Sequence, residues 1–434
     1  MKREQCFEQS VTIIHSTAMK PPRPNTVGLL LPAICLVVAC TLLLSSCTES
    51  IPTEIDPEPE PGPIEDLRTW SLPEHIDLIP PEVLRDTRPT SIVASQGGKL
   101  HLMLTAPADT LAEHDFFRLT YLRYDGITWT HQTDIDGFGI FKPATSINTP
   151  DGRQHFFWAG VAPEHRQSPA TARVTDLFYC VWDGAACSEP VSLFAGDVLQ
   201  FFYLDQAVVD HTGAIHLVFK YQGRMYHLIM QPGGSTTVTR IEGSSYPSLR
   251  RQDAALYLVW VSFPLSSGGS NDVFYRSYRD GGWTPSRNIF HDVQQKAHVP
   301  ALAIDKDGTH HLVFHTLVDD GPQVDLLYMV SRDEGATWSA PEVLYSTRSF
   351  FSDPPMLVVD AFNVLHLRFS HWGVLPFIDN FYMTLREGVW SEPAVLFPGH
   401  PSRTAAFMTV DGSNRLHAVW MKVEEPALYH ARFE

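Results

Sequence analysis

From residue 67 onward short apolar stretches alternate with polar turns, and the alternation repeats in register along the chain. One half of the repeating unit is a short apolar strand, a turn with Asp, Asn or Gly, and then an aromatic or His-rich strand. It occurs as Gly98-Lys-Leu-His-Leu-Met-Leu104, Gly152-Arg-Gln-His-Phe-Phe-Trp158, Gly213-Ala-Ile-His-Leu-Val-Phe219, Ala254-Ala-Leu-Tyr-Leu-Val-Trp260, Gly308-Thr-His-His-Leu-Val-Phe314, Asn363-Val-Leu-His-Leu-Arg-Phe369 and Asn414-Arg-Leu-His-Ala-Val-Trp420, seven copies in all. The other half is a strand, a tight Asp-Gly type turn and a Trp, seen in Arg123-Tyr-Asp-Gly-Ile-Thr-Trp129, Tyr278-Arg-Asp-Gly-Gly-Trp283, Ser331-Arg-Asp-Glu-Gly-Ala-Thr-Trp-Ser-Ala-Pro341 and Leu385-Arg-Glu-Gly-Val-Trp-Ser-Glu-Pro393. Short Gly-containing turns join antiparallel neighbours, so each unit contains four strands. Four strands at a spacing of roughly 50 residues predict an all-β, seven-bladed β-propeller over residues 67–434.

The two ends of this region provide a check. The last repeat stops at Ala427-Leu-Tyr-His-Ala-Arg-Phe-Glu434, after its third strand, while Thr69-Trp-Ser-Leu-Pro-Glu74 copies Thr337-Trp-Ser-Ala-Pro-Glu342 from the outer strand of another repeat. An N-terminal outer strand pairing with the C-terminal blade would close the ring and leave no open sheet edge at the termini.

The Ser331–Trp338 turn resembles the Asp-box of the sialidase-like, BNR-repeat propellers, and the strand order of that family spans nearly all of 67–434. The resemblance implies a structural role for Ser331, Asp333, Gly335, Thr337 and Trp338: side-chain oxygens serve turn amides, and the indole packs between sheets. It also implies that a sialidase would need three arginines, an acid/base Asp and a Tyr–Glu nucleophile pair. Arg88-Pro89 stands in for the family's first arginine motif, Arg403 and Arg250 or Arg251 are further candidates, and no Tyr–Glu pair is recognisable. Sialidase turnover is therefore not expected.

His101, His155, His216, His311, His366 and His417 sit at the same place in different repeats, and Tyr257 replaces them in one. Equivalent positions in radiating blades stand apart, so packing with a side-chain hydrogen bond is expected and no metal site. Cys180 and Cys187 flank Asp183-Gly184, with Cys187 where other repeats carry Trp; an exported protein could join them as a disulfide.

Residues 1–46 contain the apolar run Val27–Leu44, interrupted by Pro32 and ending Leu44-Ser45-Ser46-Cys47. The ending resembles the lipobox of bacterial lipoproteins, which implies a signal peptide over 1–46, with Met19 a reasonable alternative start, and lipidation of Cys47. Residues 47–66 are a Pro/Glu-rich extended linker. Thr48 after the Cys resembles lipoproteins sorted to an outer membrane, so the expected location is the cell envelope, at the outer membrane or cell surface.

Composition narrows the partners. The 434 residues carry 49 acidic and 32 basic side chains, a net charge of −17, which argues against nucleic acid. Six cysteines are too few for a disulfide scaffold, and no cofactor motif is present. A monomer is expected.

In a propeller the loops before innermost strands and after second strands converge at the channel mouth. These positions are Arg88, Lys142, Asp205, Tyr246, His298, Asp353 and Arg403, and then Lys220, His315, His371 and Trp372. Their mixture of charges, imidazoles and aromatics suits a polar ligand. Asp353 with His315 or His371 is the candidate acid/base set, although no catalytic residue stands out. The leading expectation is a lipid-anchored propeller that binds a glycan or an envelope protein without catalysis. An exo-acting glycoside hydrolase and a scaffold subunit of an envelope complex are the alternatives.

Overall fold

The computed structural model describes residues 70–434 except 85–86, 96, 108–116, 162–175, 197–202, 205–206, 244, 263–270, 319–322, 350–352, 373–377, 399–401, 403, 423–426 and 434. Cys47, Asp205 and Arg403 lie outside the described residues.

Seven four-stranded antiparallel blades follow one another in chain order. Blade 1 runs through Arg88–Ala94, Leu100–Pro107, Phe117–Tyr124 and the first half of Trp129–Asn148; the second half of that long strand is the innermost strand of blade 2. Blade 2 adds Gln154–Gly160, Asp176–Trp182 and Val191–Phe194. Blade 3 has Val208–Val209, Ile215–Tyr221, Arg224–Met230 and Thr236–Ile241, and blade 4 has Ser245–Gln252, Ala255–Ser262, Asp272–Arg279 and Arg287–Phe290. Blade 5 comprises Gln295–Ile304, His310–Val318, Val324–Ser331 and Glu342–Thr347; blade 6 comprises Met356–Val359, Leu365–Trp372, Ile378–Arg386 and Ala394–Val395. Blade 7 has Phe407–Val410, Leu416–Lys422 and Ala427–Phe433, and takes its outer strand, Glu74–His75, from the other end of the domain.

The closure follows the sequence expectation that an N-terminal outer strand pairs with the C-terminal blade. Glu74 pairs with His430 and His75 with Tyr429, the Ser71 amide donates to the Arg432 carbonyl at 2.6 Å, and Ile76 N–H donates to Leu428 O at 2.8 Å. Trp70 then packs edge-on against Tyr382, Phe397 and Phe433 at 5.3–5.7 Å.

Apolar burial explains why the second strands are apolar on both faces: each is covered by a neighbouring blade on either side. All seven residues of Gln154–Gly160 are buried, whereas the outer strand Val191–Phe194 contains no buried residue. The core is accordingly a series of layers between blades. Val259, Val273 and Tyr275 of blade 4 pack on Leu312, Phe314 and Leu327 of blade 5, and Tyr382 of blade 6 packs on Met408, Ala418 and Trp420 of blade 7.

The repeated histidines tie each blade together at the end where strands one and two, and three and four, are joined by turns. His101, His155, His311 and His366 share a hydrogen bond through Nδ1 with a third-strand tyrosine, Tyr121, Tyr179, Tyr328 and Tyr382, at 2.5–2.8 Å. His216 and His417 meet His227 and His430 instead, both at 3.0 Å. Burial drives His227 and His430 down to a pKa of about 3. Four third-strand rings then meet a tryptophan of the following blade: His430 with Trp129 at 5.3 Å, His227 with Trp283 at 5.1 Å, Tyr275 with Trp338 at 5.6 Å and Tyr328 with Trp390 at 5.2 Å. In blade 2, Cys187 holds the tryptophan position and is joined to the fully buried Cys180.

The Ser331–Trp338 turn is self-contained. Asp333 accepts from the Thr337 amide at 2.8 Å and the Thr337 hydroxyl at 2.6 Å, while Ser331 Oγ accepts from Gly335 N–H at 2.8 Å. These bonds hold the Asp333 carboxyl down at about 2. Gly335 has φ +78°, and a Cβ there would lie 2.2 Å from the Tyr275 ring, so two constraints select glycine.

Candidate site at the channel mouth

At the opposite end, where innermost strands begin and second strands finish, the repeat loses its uniformity. A proline interrupts the innermost strand of four blades, and pairing slips a residue beside it: between Pro89 and Ser91, Phe141 and Ala144, Ser245 and Ser248, and His298 and Ala301. Proline cannot donate to the ladder, so it lodges at a bulge, and the bulge re-aims the preceding side chains. Tyr246 and Val299 adopt φ of 50° and 39°, left-handed values that cost a non-glycine residue about 1 kcal/mol or more. Arg88 and Tyr246 directly precede such a proline, and His298 stands two residues before Pro300.

The described side chains gather on one side of the mouth. His298 sits opposite His315 across the two strands of blade 5, and Asn271 Nδ2 from blade 4 donates to His298 Nε2 at 3.3 Å. Burial, then the charge of Lys296, lowers the His298 pKa. His315 is 3% exposed, and burial, His298 and Arg368 all oppose its protonation. On blade 3, Lys220 occupies the same repeat position as His315; its Nζ donates to Ser245 Oγ of blade 4 at 2.7 Å, and burial lowers its pKa. Small hydroxyls stitch the innermost strands below the mouth: Ser91 and Ser146 meet at 3.0 Å, and Ser248 accepts from the Leu302 amide at 3.1 Å.

Arg368 is the residue that sequence reasoning missed. It is 4% exposed, Nη1 donates to Ser370 Oγ at 3.4 Å, and Nε has no hydrogen-bond partner among the described residues. Burial lowers its pKa to about 10 against the stabilising charge of Asp353. A signal was available in the repeat itself. The position two after the strand histidine holds Met103, Phe157, Val218, Val259, Val313 and Val419 in the other blades, all buried, and a guanidinium only in blade 6. A cation set into a core position is a costly exception to an otherwise apolar pattern, the signature of a working residue.

The remaining rim residues divide. Asp353 lies just before the innermost strand of blade 6, close enough for its charge to act on Arg368. Arg88 bonds the Thr87 carbonyl at 3.0 Å. His371 faces the blade 5–6 contact, stacked on Phe381 at 5.0 Å and sharing a hydrogen bond with Tyr345 Oη at 3.3 Å. Trp372 ends the second strand of blade 6, and Lys142 lies within the long strand shared by blades 1 and 2. Arg251 is at the other end of its strand, bonded to Val209 and Asp253 carbonyls, and neighbouring Arg250 bonds the Leu249 carbonyl. Neither joins the mouth cluster. No group of three potential metal ligands occurs among the described residues.

The arrangement defines the chain as a seven-bladed β-propeller with a polar, cation-containing channel mouth. No family model matches it, and no curated protein matches it in sequence. Solved structures do match in fold. A protein of unknown function from Dyadobacter fermentans superposes with a TM-score of 0.51 at 10% identity, over 84% of this chain and 98% of that one. An α-L-arabinofuranosidase from Fusarium graminearum gives 0.50 at 10% identity, covering 84% and 97%. A puromycin-hydrolysing peptidase from Mycobacterium tuberculosis gives 0.50 at 14% identity, covering 83% of this chain and 54% of that one. Folds shared by a glycosidase and a peptidase do not dictate chemistry, and the site has to carry the functional argument.

Proposed function

We propose that the channel mouth takes a carbohydrate and hydrolyses a terminal glycosidic bond. The observation behind this reading is the buried Arg368 guanidinium beside Asp353, flanked by His298 and His315. A buried array of guanidinium and imidazole groups beside a carboxylate can orient sugar hydroxyls and stabilise charge that develops at the scissile bond. Glycoside hydrolysis takes two carboxyl groups, so Asp353 needs a partner. We assign that part to Asp205, which lies three residues before Val208–Val209 in the sequence. The test is a panel of fluorogenic glycosides, arabinofuranosides included, on residues 67–434. Turnover by the wild type that Asp353→Asn and Asp205→Asn each reduce by at least about a hundredfold is expected, the range for lost acid/base groups. A panel without any turnover would sink the enzyme reading.

The second reading, a glycan- or protein-binding module without catalysis, draws on one observation: Asp353 is the only carboxylate of the rim set among the described residues. Retained glycan-array binding by a wild type that cleaves nothing would select it. We further propose export and lipidation at Cys47, supported by the Leu44-Ser45-Ser46-Cys47 ending. Cys47→Ala should leave the precursor unprocessed or release it from membranes; detergent partitioning identical to wild type would refute this.

A further inference from the structure

A closed propeller still has free sheet edges, the outer strands of its blades, and in six of the seven blades that edge is guarded. A proline breaks the outer strand of blade 4, Pro285 between Gly282–Trp283 and Arg287–Phe290, and of blade 6, Pro393 between Val389–Trp390 and Ala394–Val395. Pro73, Pro190 and Pro341 directly precede the outer strands of blades 7, 2 and 5, and in blades 2 and 5 the pairing also slips. In blade 1 the pairing slips between Tyr121 and Leu122, and the strand carries the ion pair of Asp134 with Arg118. Proline, bulges and charge keep a sheet edge from pairing with another chain.

Blade 3 has none of these devices. Its outer strand, Thr236–Ile241, pairs with Arg224–Met230 without a slip, from Thr236 opposite Met230 to Ile241 opposite Met225. Thr236, Thr237, Val238, Thr239 and Ile241 are all β-branched, the side chains that best suit a pleated strand, and Thr236, Thr237, Thr239 and Arg240 are exposed. At the hairpin end the Gln231 amide donates to the Ser235 carbonyl at 2.9 Å. Bonded and unbonded pairs alternate along an antiparallel ladder, so Thr237, Thr239 and Ile241 bond inward, whereas Thr236, Val238 and Arg240 point their N–H and C=O groups away from the blade. This edge can take one more strand.

We infer that the outer strand of blade 3 pairs with the same strand of a second copy of this chain, giving a two-fold dimer rather than the monomer expected from the sequence. With the axis at Val238, that residue exchanges both backbone hydrogen bonds with its own mate, and Thr236 does the same with Arg240. Thr237 then lies opposite Thr239, a favourable cross-strand pair. Charge points to a second copy as the occupant. Arg240 and Glu242 are the only charged residues between Gln231 and Gly243, and this register sets them against the uncharged Thr236 and Gly234 of the mate, so no like charges are opposed. A charged partner would find little to recognise, since Glu242 already accepts from Ser286 Oγ at 2.6 Å.

Ile64–Glu434 is a compact unit in itself, and sedimentation velocity on it should show a concentration-dependent dimer. Thr237→Lys with Thr239→Lys sets like charges opposite each other twice across the axis and should raise the dissociation constant at least about tenfold. Thr237→Lys with Thr239→Glu alters the same two exposed side chains but opposes unlike charges, and should dimerise at least as well as the wild type. Because the chain carries a net charge of −17 and the contact itself is nearly uncharged, salt should tighten the dimer. In the full chain, Val238→Cys should cross-link to a dimer on mild oxidation, since a bonded antiparallel pair holds its Cα atoms about 5.5 Å apart, while Thr236→Cys should not. A wild type that stays monomeric up to its solubility limit, equal dissociation of the two double variants, salt that weakens the dimer, or cross-linking of Thr236→Cys in place of Val238→Cys would overturn the assignment.

Discussion

The two ends of the propeller are built on opposite principles. At the turn end the blades draw on one recurring set: a turn carboxylate in four of them, a strand histidine in six, a third-strand ring, and in several a tryptophan from the next blade. Asp411 is the fully worked case, buried and accepting from Ser413, Arg415 and His417. At the mouth the same strands carry Arg88, Tyr246, His298 and Asp353 at corresponding places, with bulges beside prolines and a buried guanidinium whose Nε has no partner among the described residues. Uniformity marks the part that holds the ring together, and its loss marks the part free to bind something.

The largest expected effect comes from breaking the turn end at its closure. Deleting residues 70–76 removes the Trp70 contacts and the buried Ile76 and leaves the third strand of blade 7 as an open edge. The loss should be on the order of several kcal/mol, seen as a lower urea midpoint or as aggregation. A truncated domain that melts with the intact one would show that closure contributes nothing.

Acid should come next. His227 and His430 are held to about 3, and His101, His155 and His310 to about 4, chiefly by burial. Their folded values lie below the unfolded value near 6.5, so the unfolded chain binds more protons once the pH falls below that point. Stability is therefore fully present above pH 6.5 and declines from there toward pH 4 and below, by up to about 1.4 kcal/mol per pH unit for each ring. Replacing His227 and His430 by Tyr, which the other blades carry, should flatten the slope of unfolding free energy between pH 6.5 and 4. An unchanged slope in the double variant would mean that these rings do not set it.

How far the structure was legible follows from the same contrast. Blade number, strand order and the displaced N-terminal outer strand could be taken from the chain because turn glycines, strand histidines and outer tryptophans recur at fixed spacing, and each has one local job. The packing role of the histidines was equally accessible, since Tyr257 at the equivalent place is incompatible with a ligand set. Arg368 was not found, because attention fell on the loops where propeller ligands gather rather than on a charged outlier inside an apolar strand. Nor could the sequence show that His371 turns toward Tyr345 and Phe381, since a strand's last residue can face either side once pairing ends.

The smallest expected change in stability has the opposite sign, and it would sharpen the comparison most. Arg368→Met keeps a long, flexible side chain at a position where the other blades place Met103 or Val, and it removes a guanidinium whose burial is only partly compensated by Ser370 and the charge of Asp353. Asp353 stands half-buried at the mouth, where water can solvate it once the cation is gone. Replacing imperfectly paired buried charge by apolar volume is neutral or favourable, so the variant should gain on the order of 1 kcal/mol in urea unfolding while losing its glycan ligand or its turnover. At the turn end no such gain is available: Asp411→Asn should cost about 1–3 kcal/mol, because an amide nitrogen would face the buried His417 Nε2 where the carboxylate oxygen Oδ2 now accepts. If Arg368→Met instead destabilises the domain as much as Asp411→Asn does, the guanidinium belongs to the scaffold, and the mouth is built on the same principle as the turns.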